Sequence, residues 1–439
     1  MPFRRALNTF DATMVVVGGI IGSGIFILPS LVAQRLPTPA LVLSAWLVGG
    51  AIALAGAFAF AELAALFPRA GGEYVYLREA YHPLVAFLFG WASLLMIQGG
   101  GLGAVAITFA QYGLRLTGRD SAQAAAVAAL AIAVVAAVNV VGVKPGSRLL
   151  NVLVLLKLVA LAVLIGGGLF LPRSAPAPEI SAVAVPPASA LGFGAALVPI
   201  LFAYGGWQSV NLLAEETNEP RRTLPRALMA GTAIVIAVYV LANVVYLAVL
   251  SRDGLAATPT PAADAVRRIF GPGADRLISA AIAVSAFGFL DLTLLAQTRI
   301  YYAMGVDGVF FPHLGRLHPR FKTPVLAIVV QALWGVVLVL TGTYGELVDS
   351  VVFGDWIFFG LTVAAVFRFR ARFPLAQRDS GSFRMPGHPI VPALFVAAAL
   401  LVVASAVRSN PKRSAVGAAL LAAGVPVYAY FARSRKGEA

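Results

Sequence analysis

Long apolar stretches dominate the chain and alternate with short polar segments. Runs of about 20 apolar residues are long enough to cross a bilayer as helices. Read this way, the sequence places helices at roughly 10–32, 40–66, 84–114, 122–142, 149–171, 192–216, 224–250, 274–303, 324–341, 346–367, 389–408 and 413–432. The pattern predicts an all-α integral membrane protein with twelve transmembrane helices. The longest polar segments are 68–83 and 304–323 on one side of the membrane, and 172–190 and 251–273 on the other. Within the last of these, 258–272 can hold a short surface helix, while 171–187 is rich in Pro and Ala and reads as extended. The alanine-rich stretch 122–138 reads as packed or lipid-facing helix, not as a linker.

Two of the helices are interrupted. Residues 18–29 read Gly-Gly-Ile-Ile-Gly-Ser-Gly-Ile-Phe-Ile-Leu-Pro inside the first apolar stretch. Lipid cannot satisfy free backbone groups, so a span should be continuous helix. Each glycine costs a helix about 1 kcal/mol relative to alanine. Gly22, Ser23 and Gly24 at mid-span therefore predict a helix that stops and restarts, with free amides able to receive an anion such as a carboxylate. A second interruption, Tyr204-Gly205-Gly206, falls in the sixth helix. Five helices separate the two breaks, so the halves would run with opposite topology, as in inverted-repeat transporters. The alternative is that these glycines only let helices pack closely.

Composition agrees with the membrane reading. Of 439 residues, 60% are hydrophobic and 12% charged, against about 25% charged in soluble domains. The net charge of +14 would suggest nucleic acid in a soluble protein. With the N-terminus inside, however, the predicted cytoplasmic segments carry 21 of the 33 Lys and Arg residues and the outer segments 11. That excess places both termini in the cytoplasm and accounts for the charge without nucleic acid. The absence of cysteine excludes disulfides, thiolate catalysis and Cys-based metal sites. His82, His313, His318 and His388 fall in loops without metal-ligand spacing, so neither metal nor cofactor is expected. The first helix follows Arg4 and Arg5 but is too long for a cleaved signal peptide.

One charged residue stands out. Lys157 lies in the apolar stretch 152–165, about 12 Å deep at 1.5 Å per residue. A central lysine costs at least about 2.5–3.5 kcal/mol on insertion scales and should face the protein interior. Asp291 in the eighth helix and Asp355 in the tenth are also intramembrane. Each could pair with a cation, relay protons, favour a cationic substrate, or sit as a hydrogen-bonded protonated acid. Glu62, Glu215 and Glu216 lie near cytoplasmic helix ends and are expected to pair with loop arginines such as Arg69, Arg221 and Arg222.

The motifs together carry a resemblance. Gly22-Ser23-Gly24-Ile25-Phe26 resembles the signature of the amino acid–polyamine–organocation (APC) transporters. Ala61-Glu62-Leu63 and the run from Phe67 to Tyr81 resemble that family's second-helix exit and following loop. Leu201 to Trp207, followed by Glu215-Glu216, Asn218, Pro220-Arg221-Arg222 and Pro225-Arg226, is similar to the L-type amino acid transporter (LAT) branch. Phe287-Gly288 and the Arg299–Tyr302 region extend the match. The resemblance implies a LeuT-type fold: a five-plus-five inverted repeat with helices one and six broken, plus two peripheral helices. On this plan, 1–9 is a cytoplasmic N-terminus, 10–171 and 192–367 are the two repeats, 389–432 is the peripheral pair and 433–439 is a cytoplasmic tail.

The resemblance also implies alternating access around an amino acid site. The substrate carboxylate would meet Gly22, Ser23 and Gly24 at the N-terminal end of the outer half-helix. Its ammonium would meet carbonyls around Ile20 and Ile21 and at Phe202, Ala203 and Tyr204, beside Gly205. Phe202 matches an aromatic gate, its alternative being ordinary packing, and Gln208 matches a polar pocket position. Gly99, Gly100 and Gly101 leave room beside the site or serve packing. Lys157 matches the lysine that replaces a sodium ion in sodium-coupled relatives. Its partners are expected to be carbonyls near Gly18 or Gly19, with Ser285 of helix eight. Asp291 and Asp355 depart from the LAT pattern, which more often has Asn near these points.

The function expected is sodium-independent exchange or proton symport of neutral L-amino acids across the cell inner (plasma) membrane. The alternative is a carrier of cationic amino acids or polyamines. A membrane-embedded enzyme would need a dyad or metal ligands within the spans, and Asp291 with Asp355 is a thin basis for one. A channel would need a pore-lining repeat. Animal LAT proteins join a heavy subunit through a cysteine; with none here, no disulfide-linked subunit is expected, and the chain is read as a stand-alone monomer whose partners are substrate and lipid bilayer.

Overall fold

The first helix begins at a reciprocal cap. Asn8 Oδ1 accepts from the Asp11 amide at 2.9 Å and Asp11 Oδ2 accepts from the Asn8 amide at 3.1 Å, which satisfies two donors that a helix start leaves free. In a computed structural model, residues 3–22, 24–117, 119, 121–171, 189–258, 260–341, 344–373, 383–409 and 411–437 are described. Seventeen α-helices order them. The first half holds α1 (Thr9–Ile20), α2 (Gly24–Ala33), α3 (Pro39–Leu66), α4 (Glu73–Ala80), α5 (Pro83–Ala92), α6 (Gln98–Thr117), α7 (Ala124–Val141) and α8 (Val143–Phe170). The second holds α9 (Ala190–Ala203), α10 (Pro220–Ala257), α11 (Pro261–Phe270), α12 (Asp275–Leu292), α13 (Thr298–Val306), α14 (Val325–Thr341), α15 (Tyr344–Arg372), α16 (Ile390–Ser409) and α17 (Pro411–Gly437).

Among the described residues, eight helical spans are long and apolar enough to cross a membrane, and the bent pair α1–α2 makes a ninth. α14 and residues 390–405 of α16 are shorter apolar helices. The span 276–306 is the most enclosed, with 72% of its apolar window buried, and 414–433 the least, at 11%. α12 and α13 are therefore central, and α17 is peripheral. The expected surface helix within 258–272 is α11. Segment 172–188 and Ser23 lie outside the described residues.

Both predicted breaks are present. α1 and α2 diverge by 43° across residues 21–23. α9 ends at Ala203, and after Tyr204-Gly205-Gly206 the chain resumes as a 3₁₀ helix over Trp207–Glu216. A second correspondence has no signal in the sequence. Residues 93–97, between α5 and α6, and 293–297, between α12 and α13, each form one π turn. The spans 83–114 and 276–306 are thus bulged in the same manner, and such bulges favour functional regions of helices.

Proline shapes the path to the second break. Pro199 inside α9 has no N–H, which frees the carbonyl four residues earlier. That carbonyl, of Ala195, accepts from the Arg35 guanidinium at the end of the first span. Small residues bring helices close, as membrane packing favours. A Cβ on Gly231 of α10 would stand 2.6 Å from Val16 of α1.

The acidic residues pair differently from the sequence expectation. Glu216 forms a two-pronged ion pair with Arg299, Nε–Oε1 2.7 Å and Nη2–Oε2 3.1 Å, both side chains buried. Glu62 pairs with Arg370 at 2.6 Å and accepts from the Met385 amide at 2.9 Å, while Glu215 accepts from the Ala70 amide at 3.1 Å. None of these bonds goes to Arg69, Arg221 or Arg222. The reason is topological: arginines distant in sequence, on α13 and α15, lie across the interface from these carboxylates, while Arg222 reaches only Glu219 on the surface.

Candidate functional site

The site is built from the two breaks. At the end of α1, the Ile21 amide still donates to Val17 O at 2.9 Å, but the Gly22 amide turns back to Ile20 O at 2.9 Å. This tight i to i+2 turn, with Ile21 at φ −75° and ψ 88°, resembles an inverse γ-turn and ends the helix. The first carbonyl beyond the helix, that of Ile21, points toward α8 and α12. It accepts from Lys157 Nζ at 2.7 Å and from Ser285 Oγ at 3.3 Å. Lys157 Nζ also lies 3.4 Å from Ser285 O, and Ser285 Oγ 3.3 Å from Gly22 O. Lys157 and Ser285 are fully buried.

This corrects the expected partner. Lys157 meets Ile21, not Gly18 or Gly19, because the turn at Ile21–Gly22 directs the Ile21 carbonyl toward α8 and α12. The two glycines are packing points instead. A Cβ on Gly18 would stand 2.8 Å from Val154, and one on Gly19 would stand 2.5 Å from the carbonyl oxygen of Gly206. The expected proximity of Ser285 is found.

At the second break, the Tyr204 amide donates to Ile200 O at 3.0 Å and the Gly205 amide to Phe202 O at 3.1 Å. Gly206 then adopts φ 109°, a left-handed conformation that favours glycine. Its amide donates to Gln208 Oε1 at 3.0 Å. Gln208 thus closes the break with its own side chain. A Cβ on Gly206 would collide with the Gly19 carbonyl, so the two breaks touch backbone to backbone through residues without side chains.

Tyr239 of α10 bridges them. Its hydroxyl lies 3.0 Å from Ile20 O and 3.3 Å from Ala203 O. A hydroxyl has one proton, so it donates to one carbonyl at a time and lies within reach of both. The Tyr239 ring stands at 5.1 Å from the Tyr204 ring and 5.7 Å from Trp46. Sequence reasoning missed this residue, whose only signal is a tyrosine within the long apolar run of α10.

The remaining expected residues fall as follows. Nothing among the described residues lies within 4 Å of a Cβ placed on Gly22, whereas one on Gly24 would meet the Ala203 Cβ at 3.3 Å. The gap in front of Gly22 is open and its outer rim closes on the end of α9. Phe202 is 39% exposed among buried neighbours, so it is not ordinary core packing. Ile20 O has the Gly22 amide and the Tyr239 hydroxyl within reach, and Ile21 O has Lys157 Nζ and Ser285 Oγ, each hydroxyl being shared with a second carbonyl. Gly99 is a packing point: a Cβ there would meet Trp334 at 2.7 Å, whereas Gly101 has nothing within 4 Å.

Neither aspartate bonds to Lys157 among the described residues. Asp291 Oδ1 accepts from Asn139 Nδ2 at 2.8 Å. Asp355 is half-buried on α15, within electrostatic reach of Glu73, which accepts from Thr362 Oγ1 at 2.9 Å. Burial and the neighbouring Asp355 hold the Glu73 carboxyl well above the usual carboxylate range, against the Thr362 bond. No cluster of three metal-ligating side chains occurs among the described residues.

The chain is similar to known proteins over nearly its whole length. The amino acid permease family model matches residues 7–431. The chain is 30% identical over 436 residues to the serine/threonine exchanger SteT of Bacillus subtilis (strain 168), covering 99% of this chain and 98% of that protein. It is 29% identical over 433 residues to the human cystine/glutamate transporter, covering 98% and 85%. It is 30% identical over 421 residues to the human b(0,+)-type amino acid transporter 1, covering 93% and 84%. These relatives are transporters or exchangers, not enzymes. With a match spanning nearly its whole length and its multiple apolar helices, the chain belongs to the amino acid permease family of the APC superfamily and is a multi-pass membrane transporter of amino acids.

Proposed function

We propose that the chain exchanges neutral L-amino acids across the plasma membrane by alternating access, without sodium. The observation that carries this reading is the junction of the two helix breaks, where the Lys157 ammonium occupies the Ile21 carbonyl. A fixed cation at that point fills a place a sodium ion could otherwise take. The substrate carboxylate would meet the Gly22 and Gly24 amides, with Ser23 between them, at the start of α2. Its ammonium would meet carbonyls around Ile20 and Ile21 and the end of α9, at Phe202, Ala203 and Tyr204 beside Gly205. Phe202 would close over the substrate, and Gln208 would support the break while facing the side chain.

The same reading takes the architecture as twelve spans in a LeuT-type five-plus-five arrangement. Residues 10–171 and 192–367 would be the repeats, 389–432 the peripheral pair, and 1–9 and 433–439 cytoplasmic ends. The paired breaks and the paired π turns support the inverted repeat, and the low burial of α17 supports a peripheral position for that helix. The excess of basic residues in the predicted inner segments supports cytoplasmic termini. The exchange mode and the serine or threonine substrate named for the Bacillus relative make those two amino acids the first candidates. With no cysteine in the 439 residues, no disulfide can join them to a second subunit, which supports a functional monomer.

The test is uptake by purified protein in liposomes. Radiolabelled serine or threonine should enter only when the lumen holds unlabelled amino acid, equally in sodium and in choline. Uptake into empty liposomes driven by a sodium gradient would overturn the reading.

A further inference from the structure

Buried polar atoms of α7 and α12 take no part in the exchange reading. Asp291 lies in α12, about one helical turn beyond Gly288, and is fully buried. Its one hydrogen bond to a neighbouring helix comes from Asn139 of α7, also buried. The amide of Asn139 has a fixed orientation. Its Nδ2 donates at once to Val135 O at 3.0 Å and to Asp291 Oδ1 at 2.8 Å. A carbonyl cannot donate, so the nitrogen must face both acceptors.

Two atoms of this pair have no hydrogen-bond partner among the described residues: Asp291 Oδ2 and Asn139 Oδ1. Both accept hydrogen bonds, and a pair made of two acceptors has no proton to share. Among the described residues, an ionised carboxylate in this setting would be buried within a span with one interhelical hydrogen bond and no paired countercharge. The charged residues on elements packed against α12 are Arg115 of α6, Lys144, Arg148 and Lys157 of α8, Asp11 of α1, and Asp264, Arg267 and Arg268 of α11. No hydrogen bond or ion pair joins any of the described ones to Asp291. α7 and α14 carry no charged residue. Lys157 is committed to Ile21 O.

We propose that Asn139 and Asp291 form a proton-binding site, separate from the amino acid cleft and occupied in this conformation. A proton on the carboxyl removes the uncompensated charge. It supplies the donor the pair lacks and lets the acid and the amide bond reciprocally: Asn139 Nδ2–H to Asp291 Oδ1, and Asp291 Oδ2–H to Asn139 Oδ1. Asp291 stands directly before the π turn at 293–297, where the helix is already irregular. The ligand is a proton; two oxygens are too few to replace the shell of a metal cation. The inference does not rest on the exchange reading, and its test reads the carboxyl and not transport.

The experiment is infrared difference spectroscopy on the purified, detergent-solubilised full chain at neutral pH, comparing parent with Asp291→Asn and with Asn139→Leu. Asp291→Asn keeps the shape and mimics the neutral acid, so it should remain folded and should remove one protonated-carboxyl C=O band. Asn139→Leu should move that band to higher frequency, because the carbonyl loses its donor. Should Asn139→Leu not fold, the Asp291→Asn difference alone decides the protonation state. Loss of a carboxylate band instead, as expected for an ionised Asp291 bridged by water, would overturn the proposal. So would an Asp291→Asn difference spectrum that changes with added sodium.

Discussion

The two helix breaks look alike in sequence, glycine-rich and mid-span, yet they are stabilised by opposite means. The first is held from outside. Lys157 of α8 and Ser285 of α12 converge on the Ile21 carbonyl, so the polar backbone exposed by the break is satisfied by two distant helices. The second is held from within, by the left-handed Gly206 and the Gln208 side chain two residues on. Tyr239, the Gly19–Gly206 approach and the Gly24–Ala203 approach are common to both. The difference separates two tasks. A break clamped by groups on other helices responds when those helices move, whereas a break capped by its own sequence keeps its local shape.

The largest effect should come from a side chain placed in the shared contact. Gly206→Val forces a β-branched residue into a left-handed conformation and against the Gly19 carbonyl, which should cost about 2–6 kcal/mol from strain and overpacking together. The protein should lose its monodisperse peak in size-exclusion chromatography. Next is Glu216→Ala, which leaves the buried Arg299 guanidinium unpaired at the far end of the 3₁₀ segment. Breaking a buried pair costs about 3–5 kcal/mol, and thermal unfolding in detergent should show it, with Glu216→Gln losing less.

Lys157→Met tests whether the first break depends on its outside clamp. Uptake in liposomes should fall by about tenfold or more, the equivalent of roughly 1.4 kcal/mol or more, while the protein still elutes as a folded monomer. Uptake equal to parent would reduce Lys157 to a packing residue. The corresponding change at the second break, Gln208→Ala, should be milder. One hydrogen bond of about 0.5–1.5 kcal/mol is lost, seen as a small drop in melting temperature. If Gln208→Ala impairs transport more than Lys157→Met, the inside–outside distinction fails. Tyr239→Phe removes only a hydroxyl and should also cost about 0.5–1.5 kcal/mol, but should weaken substrate binding at equilibrium because it loosens both breaks together.

Much of this was legible in the sequence where a rule of local physics applied. Gly22 and Gly24, or Gly205 and Gly206, cannot sit in continuous apolar helix at no cost, and a lysine at mid-span has to turn inward. What was not legible depended on which helices become neighbours. The sequence pointed Lys157 to Gly18 or Gly19, and the structure puts it on Ile21, because the turn that ends α1 directs that carbonyl toward α8. Glu216 finds Arg299 and Glu62 finds Arg370, since pairing follows the packed interface and not proximity along the chain. The π turns at 93–97 and 293–297 have no compositional mark. Tyr239 and Asn139 were hidden for the same reason: their importance lies in atoms contributed by other helices.

The short segment before α1 adds a temporal consequence. The Ala6 and Leu7 amides donate to the Glu216 carbonyl at 2.9 and 3.0 Å, the Asn218 amide donates to Leu7 O at 2.8 Å, and Leu7 pairs with Thr217 as one parallel bridge. The start of the chain is stitched to a segment made roughly 210 residues later, about 10–40 s of synthesis at ordinary elongation rates. Throughout that interval the first helix leaves the ribosome with its broken middle and its leading residues unmated. The nascent protein must wait, half-finished in the membrane, for residues 216–218 before its first helix can be locked in place.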